Sequence, residues 1–93
     1  MVSAGNDNDN ADGYSPASCY GVSTVVATDP YGYRASYSNY SAYADISAPG
    51  GDSNRYSETD GVLSTVDTSS AAPSGNYDYG WKNGTSMAAP HVT

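Results

Sequence analysis

The feature that most limits the fold of this chain is a shortage of large aliphatic side chains. Leucine, isoleucine, valine and phenylalanine contribute nine of the 93 residues, and seven of the nine are valine. That share is well below the ~20% under which a self-sufficient hydrophobic core becomes doubtful. Twelve alanines and ten tyrosines make up much of the other apolar content, and tyrosine prefers half-buried positions. Because the apolar residues still cluster into strand-like runs, we predict a piece that packs against further protein.

Charge and hydropathy exclude two classes of partner. The net charge is −7, with three basic residues in the chain, whereas nucleic-acid binding needs a basic face. No run approaches the ~18 apolar residues of a membrane-spanning helix. We therefore expect neither a nucleic-acid partner nor a membrane partner.

Short strands alternating with polar loops are the predicted secondary structure. The strongest strand candidate covers 22–28, where β-branched residues are not interrupted by glycine or proline. Its continuous apolar centre is typical of a strand covered on both faces. Further strands are predicted over 43–48 and 62–66, with a weak edge strand over 34–40 and polar loops over 52–60 and 67–75.

A last strand is predicted over 76–82. It carries Tyr77, Tyr79 and Trp81 at a spacing of two, which places the three rings on one face. The common reason for such a stripe is packing. We therefore predict that the aromatic face is packed.

The C-terminal residues predict a helix that begins beside a serine. Asn83-Gly84 is typical of a tight turn, Thr85 is the predicted N-cap, and the helix covers 86–92. The Ser86 hydroxyl then lies where unpaired N–H groups and the positive end of the helix dipole converge. A developing oxyanion and a serine nucleophile both need such surroundings. Pro90 removes the hydrogen bond to the Ser86 carbonyl, at small cost near a helix start.

Two motifs at the ends of the chain carry a family resemblance. The run Gly-Thr-Ser-Met-Ala-Ala-Pro-His-Val over 84–92 resembles the nucleophile motif of subtilisin-like serine proteases, without departure. Ser3-Ala4-Gly5-Asn6 resembles the family's Ala-Ala-Gly-Asn segment, with Ser3 in place of the first alanine. Between them, four stretches follow the family in order: 16–18, 25–27, 34–38 and 45–50. The resemblance covers essentially the whole chain, which corresponds to the last part of the family's catalytic domain.

The resemblance implies an α/β fold, part of a three-layer sandwich with a mostly parallel sheet that is incomplete in this chain. Residues 1–93 are expected to be a partial peptidase domain, truncated at both ends. The family is secreted, so an extracellular location is expected, with the signal peptide outside this chain. The fragment is also expected to need the missing N-terminal part of the same domain.

The resemblance implies a serine-type endopeptidase that acts on peptides or proteins through an acyl-enzyme. Ser86 is the expected nucleophile, and the Asn6 side chain with the Ser86 backbone N–H is expected to bind the oxyanion. Ser3, Ala4 and Gly5 are expected to line the substrate pocket. Gly5 would let the backbone approach the substrate closely.

The triad base and its acidic partner are not expected in this chain. His91 is the only histidine, but a helix turns about 100° per residue, which places it roughly 140° around from Ser86. The resemblance implies that His91 and Asp45 have structural roles. The α/β-hydrolase elbow, which 84–88 nearly matches, needs an acid and a histidine after the serine, and none of the seven residues that follow Ser86 is acidic. The fragment alone is therefore expected to be inactive and poorly folded.

No metal ligand or cofactor is assigned from side chains. The loop over 6–15 has an EF-hand-like opening from Asn8, but its twelfth position is Cys19, where a bidentate glutamate is required, so a solvated loop is favoured. By resemblance, the carbonyls of Ala17, Cys19 and Val22 are candidates for a calcium site in the full-length enzyme. Cys19 itself is either a small buried hydrophobe or, by resemblance, the partner of an upstream cysteine.

Two alternatives to a protease remain open at this level. A non-catalytic binding module rich in tyrosine, serine and glycine explains the acidity and the tyrosine count, but not the two end motifs. A pseudoenzyme keeps those motifs without catalysis.

Overall fold

The computed structural model describes residues 1–67, 75 and 77–93. Within them lie five strands and one helix: β1 (Val2–Ser3), β2 (Thr24–Thr28), β3 (Ile46–Pro49), β4 (Val62–Asp67), β5 (Tyr77–Lys82) and α1 (Thr85–Val92). Two 3₁₀ turns, Ala11–Gly13 and Glu58–Asp60, interrupt the loops. Among these residues, no helix has the length and apolar character that crossing a membrane requires.

Three strands form a parallel sheet in the order β1-β2-β3. Val2 lies opposite Thr24, and Ala27 lies opposite Ala48. Parallel neighbours need long crossover connections, and the loops after β1 and β2 provide them. The predicted α/β class with a parallel sheet is confirmed.

Alanine forms most of the core between the sheet and α1. The buried cluster consists of Val25, Ala27, Ala35, Ala48 and Ala88. Each alanine removes little apolar surface from water, since burial contributes about 0.8 kcal/mol per CH₂ group. Small side chains do, however, let a helix backbone approach a sheet closely.

β4 and β5 form a separate antiparallel hairpin, with Val62 opposite Lys82 and Asp67 opposite Tyr77. The strand over 62–66 is confirmed, although it extends to Asp67, which was predicted as loop. The remaining loop positions 68–74, and Asn76 of the predicted last strand, lie outside the described residues.

The predicted packing of the aromatic stripe is wrong. Tyr77 and Tyr79 are 70% and 71% exposed, and Trp81 is 37% exposed. The β4 residues opposite these three rings lie on the same face of the hairpin, and one of them, Thr65 opposite Tyr79, is also exposed. The stripe is therefore a solvent-facing surface rather than part of the core.

Three other strand predictions differ from the structure. β2 begins at Thr24 rather than residue 22, and β3 covers Ile46–Pro49 rather than 43–48. The predicted strand over 34–40 is wrong, because this segment forms only two isolated bridges, one between Arg34 and Thr28 and one between Tyr40 and Asn10. Side chains in this segment take the place of strand pairing. For example, the Ser38 hydroxyl accepts from the Ala27 N–H at 3.0 Å.

Candidate active site

The start of α1 lies against the loop that leaves β1. Gly84 is the N-cap, with φ 155° and no side-chain cap, and the helix begins at Thr85. The predicted Thr85 N-cap is therefore wrong. The Thr85 hydroxyl is engaged elsewhere, since it accepts from the Gly5 N–H at 3.2 Å and donates to Asn6 Oδ1 at 2.9 Å.

The Asn6 carboxamide has a defined orientation. Its Oδ1 accepts both the Thr85 hydroxyl and the Thr85 backbone N–H, each at 2.9 Å. A backbone N–H can only donate, so the atom facing Thr85 must be the oxygen. The Asn6 Nδ2 group therefore points away from Thr85, and within the described residues no acceptor pairs with it.

Ser86 is exposed in the first turn of α1. The first backbone bonds at this helix start run from the Met87 and Ala88 N–H groups to the Gly84 carbonyl. Among the described residues, the Ser86 N–H has no backbone acceptor outside the helix, as expected for the second helical position. The helix dipole adds positive potential at the same point. Two donors, Ser86 N–H and Asn6 Nδ2, are thus available for an anionic oxygen.

Tyr37 and Gly50 connect the helix start to the end of β3. The Gly84 N–H donates to the Gly50 carbonyl at 3.0 Å, and the Tyr37 hydroxyl donates to the carbonyls of Gly50 and Gly51 at 2.9 and 2.7 Å. Burial raises the pKa of Tyr37 to about 12, and the Asp52 carboxylate adds to the rise. Tyr37 therefore stays a neutral donor at ordinary pH.

A groove of about 580 Å³ lies between α1 and the hairpin. Its lining comprises Ser86, Met87, Pro90 and His91 from the helix and Val62, Leu63, Ser64, Thr65, Val66 and Lys82 from the hairpin. The His91 Nδ1 atom donates to the Met87 carbonyl at 2.7 Å, because a carbonyl can only accept. Among the described residues no hydrogen bond joins Ser86 to His91, and the statement that His91 is not the base of Ser86 stays a prediction.

The three predicted pocket residues have different surroundings. Ser3 ends β1, and Ala4 is buried, with its N–H donating to the Val25 carbonyl at 3.0 Å. Gly5 has φ 105°, and a Cβ atom there would lie 2.4 Å from Asn39 Nδ2. Glycine at this position is therefore already required by the fold, whatever its role towards a substrate.

The carbonyl candidates for calcium lie together. Ala17, Cys19 and Val22 line a cavity of about 350 Å³ that also contains Asp12 and Asp45. The Ala17 carbonyl already accepts the Thr24 hydroxyl at 2.7 Å. Within the described residues, no three His, Cys, Asp or Glu side chains group as metal ligands.

The thiol of Cys19 is exposed and unpaired in this chain, so its interpretation as a buried hydrophobe is wrong. A cysteine at the surface is accessible to a partner outside the chain. The upstream disulfide stays a prediction.

Two residues of the site were not identified from the sequence. Thr85 joins the start of α1 to Gly5 and Asn6, which lie about eighty positions earlier in the chain, whereas the sequence indicated only a helix cap. Asn39 is completely buried and contacts the loop that carries Asn6. Its neighbours in the sequence gave no signal, because asparagine in a Ser/Tyr-rich segment is typical of an exposed loop.

Comparisons with known proteins give one consistent result. The family model described as "Subtilase family" matches residues 1–93. The chain is 44% identical to the "Extracellular basic protease" of Dichelobacter nodosus over all of its 93 residues, which span 14% of that protein. A solved structure of proteases from Pseudoalteromonas arctica superposes with a TM-score of 0.91 at 48% identity, covering 99% of this chain and 27% of that one. A cold-adapted subtilisin-like serine proteinase gives 0.68 at 35% identity, over 99% of this chain and 28% of that one.

Proposed function

Because the chain belongs to the subtilase family, we propose that the protein containing it is a serine endopeptidase whose nucleophile is Ser86. Its substrates are peptides or proteins. The relatives named extracellular proteases favour secretion of the whole protein. The observation that best supports the proposal is a pair of donors, Asn6 Nδ2 and Ser86 N–H, that have no acceptor among the described residues and lie at the start of the helix that carries the exposed Ser86.

The proposed reaction begins when Ser86 Oγ attacks the carbonyl carbon of the peptide bond. The hydroxyl proton passes to a general base, and the carbonyl oxygen becomes an oxyanion that accepts from Asn6 Nδ2 and the Ser86 N–H. Collapse of this intermediate breaks the C–N bond, the leaving amine takes the proton, and an acyl-enzyme remains on Ser86. Water then attacks the acyl carbon and gives a proton to the base, the bond from that carbon to Ser86 Oγ breaks, the carboxylic acid leaves, and the base returns the proton to Ser86 Oγ.

The general base is expected from the rest of the whole protein. His91 is the only histidine of the chain, and its Nδ1 is committed to the Met87 carbonyl. We therefore infer that residues 1–93 alone do not hydrolyse peptides. Ser86-dependent hydrolysis by the isolated chain would contradict this inference.

A fluorophosphonate probe tests the nucleophile directly, since it forms a covalent bond with activated serines. On the whole protein, we expect a single adduct on the peptide that contains Ser86, and no adduct in Ser86→Ala. Ser64→Ala is the matched control, because Ser64 lines the same groove and is exposed; this variant should label like the wild type. Labelling that survives in Ser86→Ala, or a folded wild type that never labels, would overturn the proposal and favour a binding module or pseudoenzyme.

A further inference from the structure

Asn39 holds the loop that carries Asn6. It is fully buried, at 0% exposure. Its Oδ1 accepts the backbone N–H groups of Asp7 and Asp9, at 2.8 and 3.1 Å, and its Nδ2 donates to the Ala4 carbonyl at 3.0 Å. The three bonded residues bracket Asn6 on both sides along the chain.

The loop leaves β1 and turns sharply, so these backbone groups have no strand neighbour to pair with. One carboxamide satisfies all three, because it combines a donor with an acceptor that has two lone pairs and carries no charge. The backbone of Asn39 adds a fourth bond, from its N–H to the Gly5 carbonyl at 2.9 Å. The Ala4 carbonyl bond is buried and the bonds of the Asp7 and Asp9 N–H groups are partly buried, so leaving these groups unpaired is costly, which favours one conformation of the loop.

Thr85 and Asn39 contact this loop at different places. Thr85 binds the Asn6 carboxamide oxygen and the Gly5 N–H, whereas Asn39 binds only backbone groups on either side of Asn6. The Gly5 position also has no room for a Cβ beside the Asn39 amide. The Asn6 side chain is therefore aimed by a backbone that Asn39 holds in place.

We propose that Asn39 is a positioning residue of the proposed protease. Asn39 acts through Asn6, because it holds the loop that directs the Asn6 Nδ2 group at the reacting carbonyl oxygen. This inference rests on the proposed function. It assigns Asn39 no contact with the substrate. Asn39 is therefore expected to stabilise the transition state, in which the oxyanion forms, and to contribute little to substrate binding.

A double-mutant cycle on the whole protein separates this role from a purely structural one. Asn39→Ser should lower kcat about 10-fold or more, with KM changed less than about two-fold. In an Asn6→Ala background, where the donor is already gone, the same substitution should lower kcat by less than about two-fold. Equal losses in both backgrounds, or an unchanged kcat in Asn39→Ser, would overturn the inference.

Ser38→Ala is the matched control. Ser38 is also fully buried and adjacent, but its hydroxyl bonds to Ala27 and to the Asn39 carbonyl rather than to the Asn6 loop. It should lose stability and keep kcat within about two-fold of the wild type. If Asn39→Ser does not fold, Asn39→Asp enters the same cycle, because it keeps the acceptor oxygen and lacks the donor to Ala4.

Failure of the proposed function would be seen separately, as a wild type without Ser86-dependent turnover. Amide hydrogen exchange would still decide the role of Asn39. The Asp7 and Asp9 N–H groups should exchange at least about 10-fold faster in Asn39→Ser than in the wild type or Ser38→Ala. Equal exchange in all three proteins would show that Asn39 does not hold the loop.

Discussion

The start of α1 and the β4–β5 hairpin face each other across the groove, and they are held by different interactions. At the helix start, hydrogen bonds join residues 79 and 80 positions apart, from Asn6 and Gly5 to Thr85. In the hairpin, each strand pairs with the other while its aromatic face remains in solvent. The donor geometry therefore depends on distant parts of the chain, and the hairpin geometry on its own two strands. Substitutions should have large effects on the first region and small effects on the second.

The largest expected effect follows from removing the Asn6 donor. Asn6→Ala in the whole protein should lower kcat with little change in KM, because the hydrogen bond that we propose from Asn6 to the oxyanion forms mainly in the transition state. A subtilisin supplies the reference magnitude for such a donor, about 10²–10³-fold. Asn54→Ala makes the same change at an exposed loop position and should leave kcat unaltered. Steady-state kinetics on a peptide substrate would contradict the account if both variants lost similar activity.

A smaller effect is expected at the contact between β3 and the helix start. A Cβ atom on Gly50 would lie 2.5 Å from the Ala27 Cβ and 2.8 Å from the Gly84 carbonyl oxygen. Gly50→Ala should therefore cost about 1–3 kcal/mol of unfolding free energy, as overpacked sites do. Gly13→Ala is the control, because a Cβ there meets nothing within 4 Å. Denaturant unfolding that ranks the two variants equally would show that the contact can relax.

Tyr37→Phe removes a hydroxyl that donates to two carbonyls beside the helix start. We expect a loss of about 1 kcal/mol at neutral pH. A tyrosine whose pKa is about 12 when folded and about 10 when unfolded favours the unfolded state as it ionises. Its stabilising contribution is complete below pH 10 and is lost as pH rises towards 12. The wild type should therefore lose stability faster than Tyr37→Phe between pH 10 and 12, and parallel curves would contradict the assignment.

The smallest effect is expected on the hairpin. Tyr79 is 71% exposed and lies opposite Thr65, so Tyr79→Ser should change the unfolding free energy by no more than about 0.5 kcal/mol. Its kcat should match that of the wild type. A loss comparable to that of Gly50→Ala would mean that the aromatic face is covered in the whole protein, and the contrast between the two regions would fail.

The sequence predicted those elements whose signals are local. The β-branched run of β2 and the motif around Ser86 gave a strand and a helix close to their observed positions. The segment over 34–40 was predicted as a strand from its weak alternation. In the structure, Ser38 and Asn39 instead form side-chain hydrogen bonds with backbone groups elsewhere in the chain. Whether such bonds form depends on which distant segments the fold brings together, and a local sequence pattern does not contain that information.

The same limit applies to the site. Asn6 and Ser86 were predicted from motifs at opposite ends of the chain. Thr85 was predicted as an N-cap, because Thr beside a helix start commonly caps it, yet its hydroxyl is taken by Gly5 and Asn6. The spacing of the three aromatic residues correctly placed them on one face of a strand, but spacing alone does not show whether another element covers that face.

We propose that Asn6 Nδ2 and the Ser86 N–H bind one oxyanion. A crystal structure of the whole protein with a peptide aldehyde tests it most directly, because the hemiacetal oxygen mimics that anion. We expect a covalent bond from Ser86 Oγ to the aldehyde carbon, with the oxygen about 2.7–3.1 Å from both donors. An adduct whose oxygen points away from Asn6, or one that forms on another residue, would contradict it.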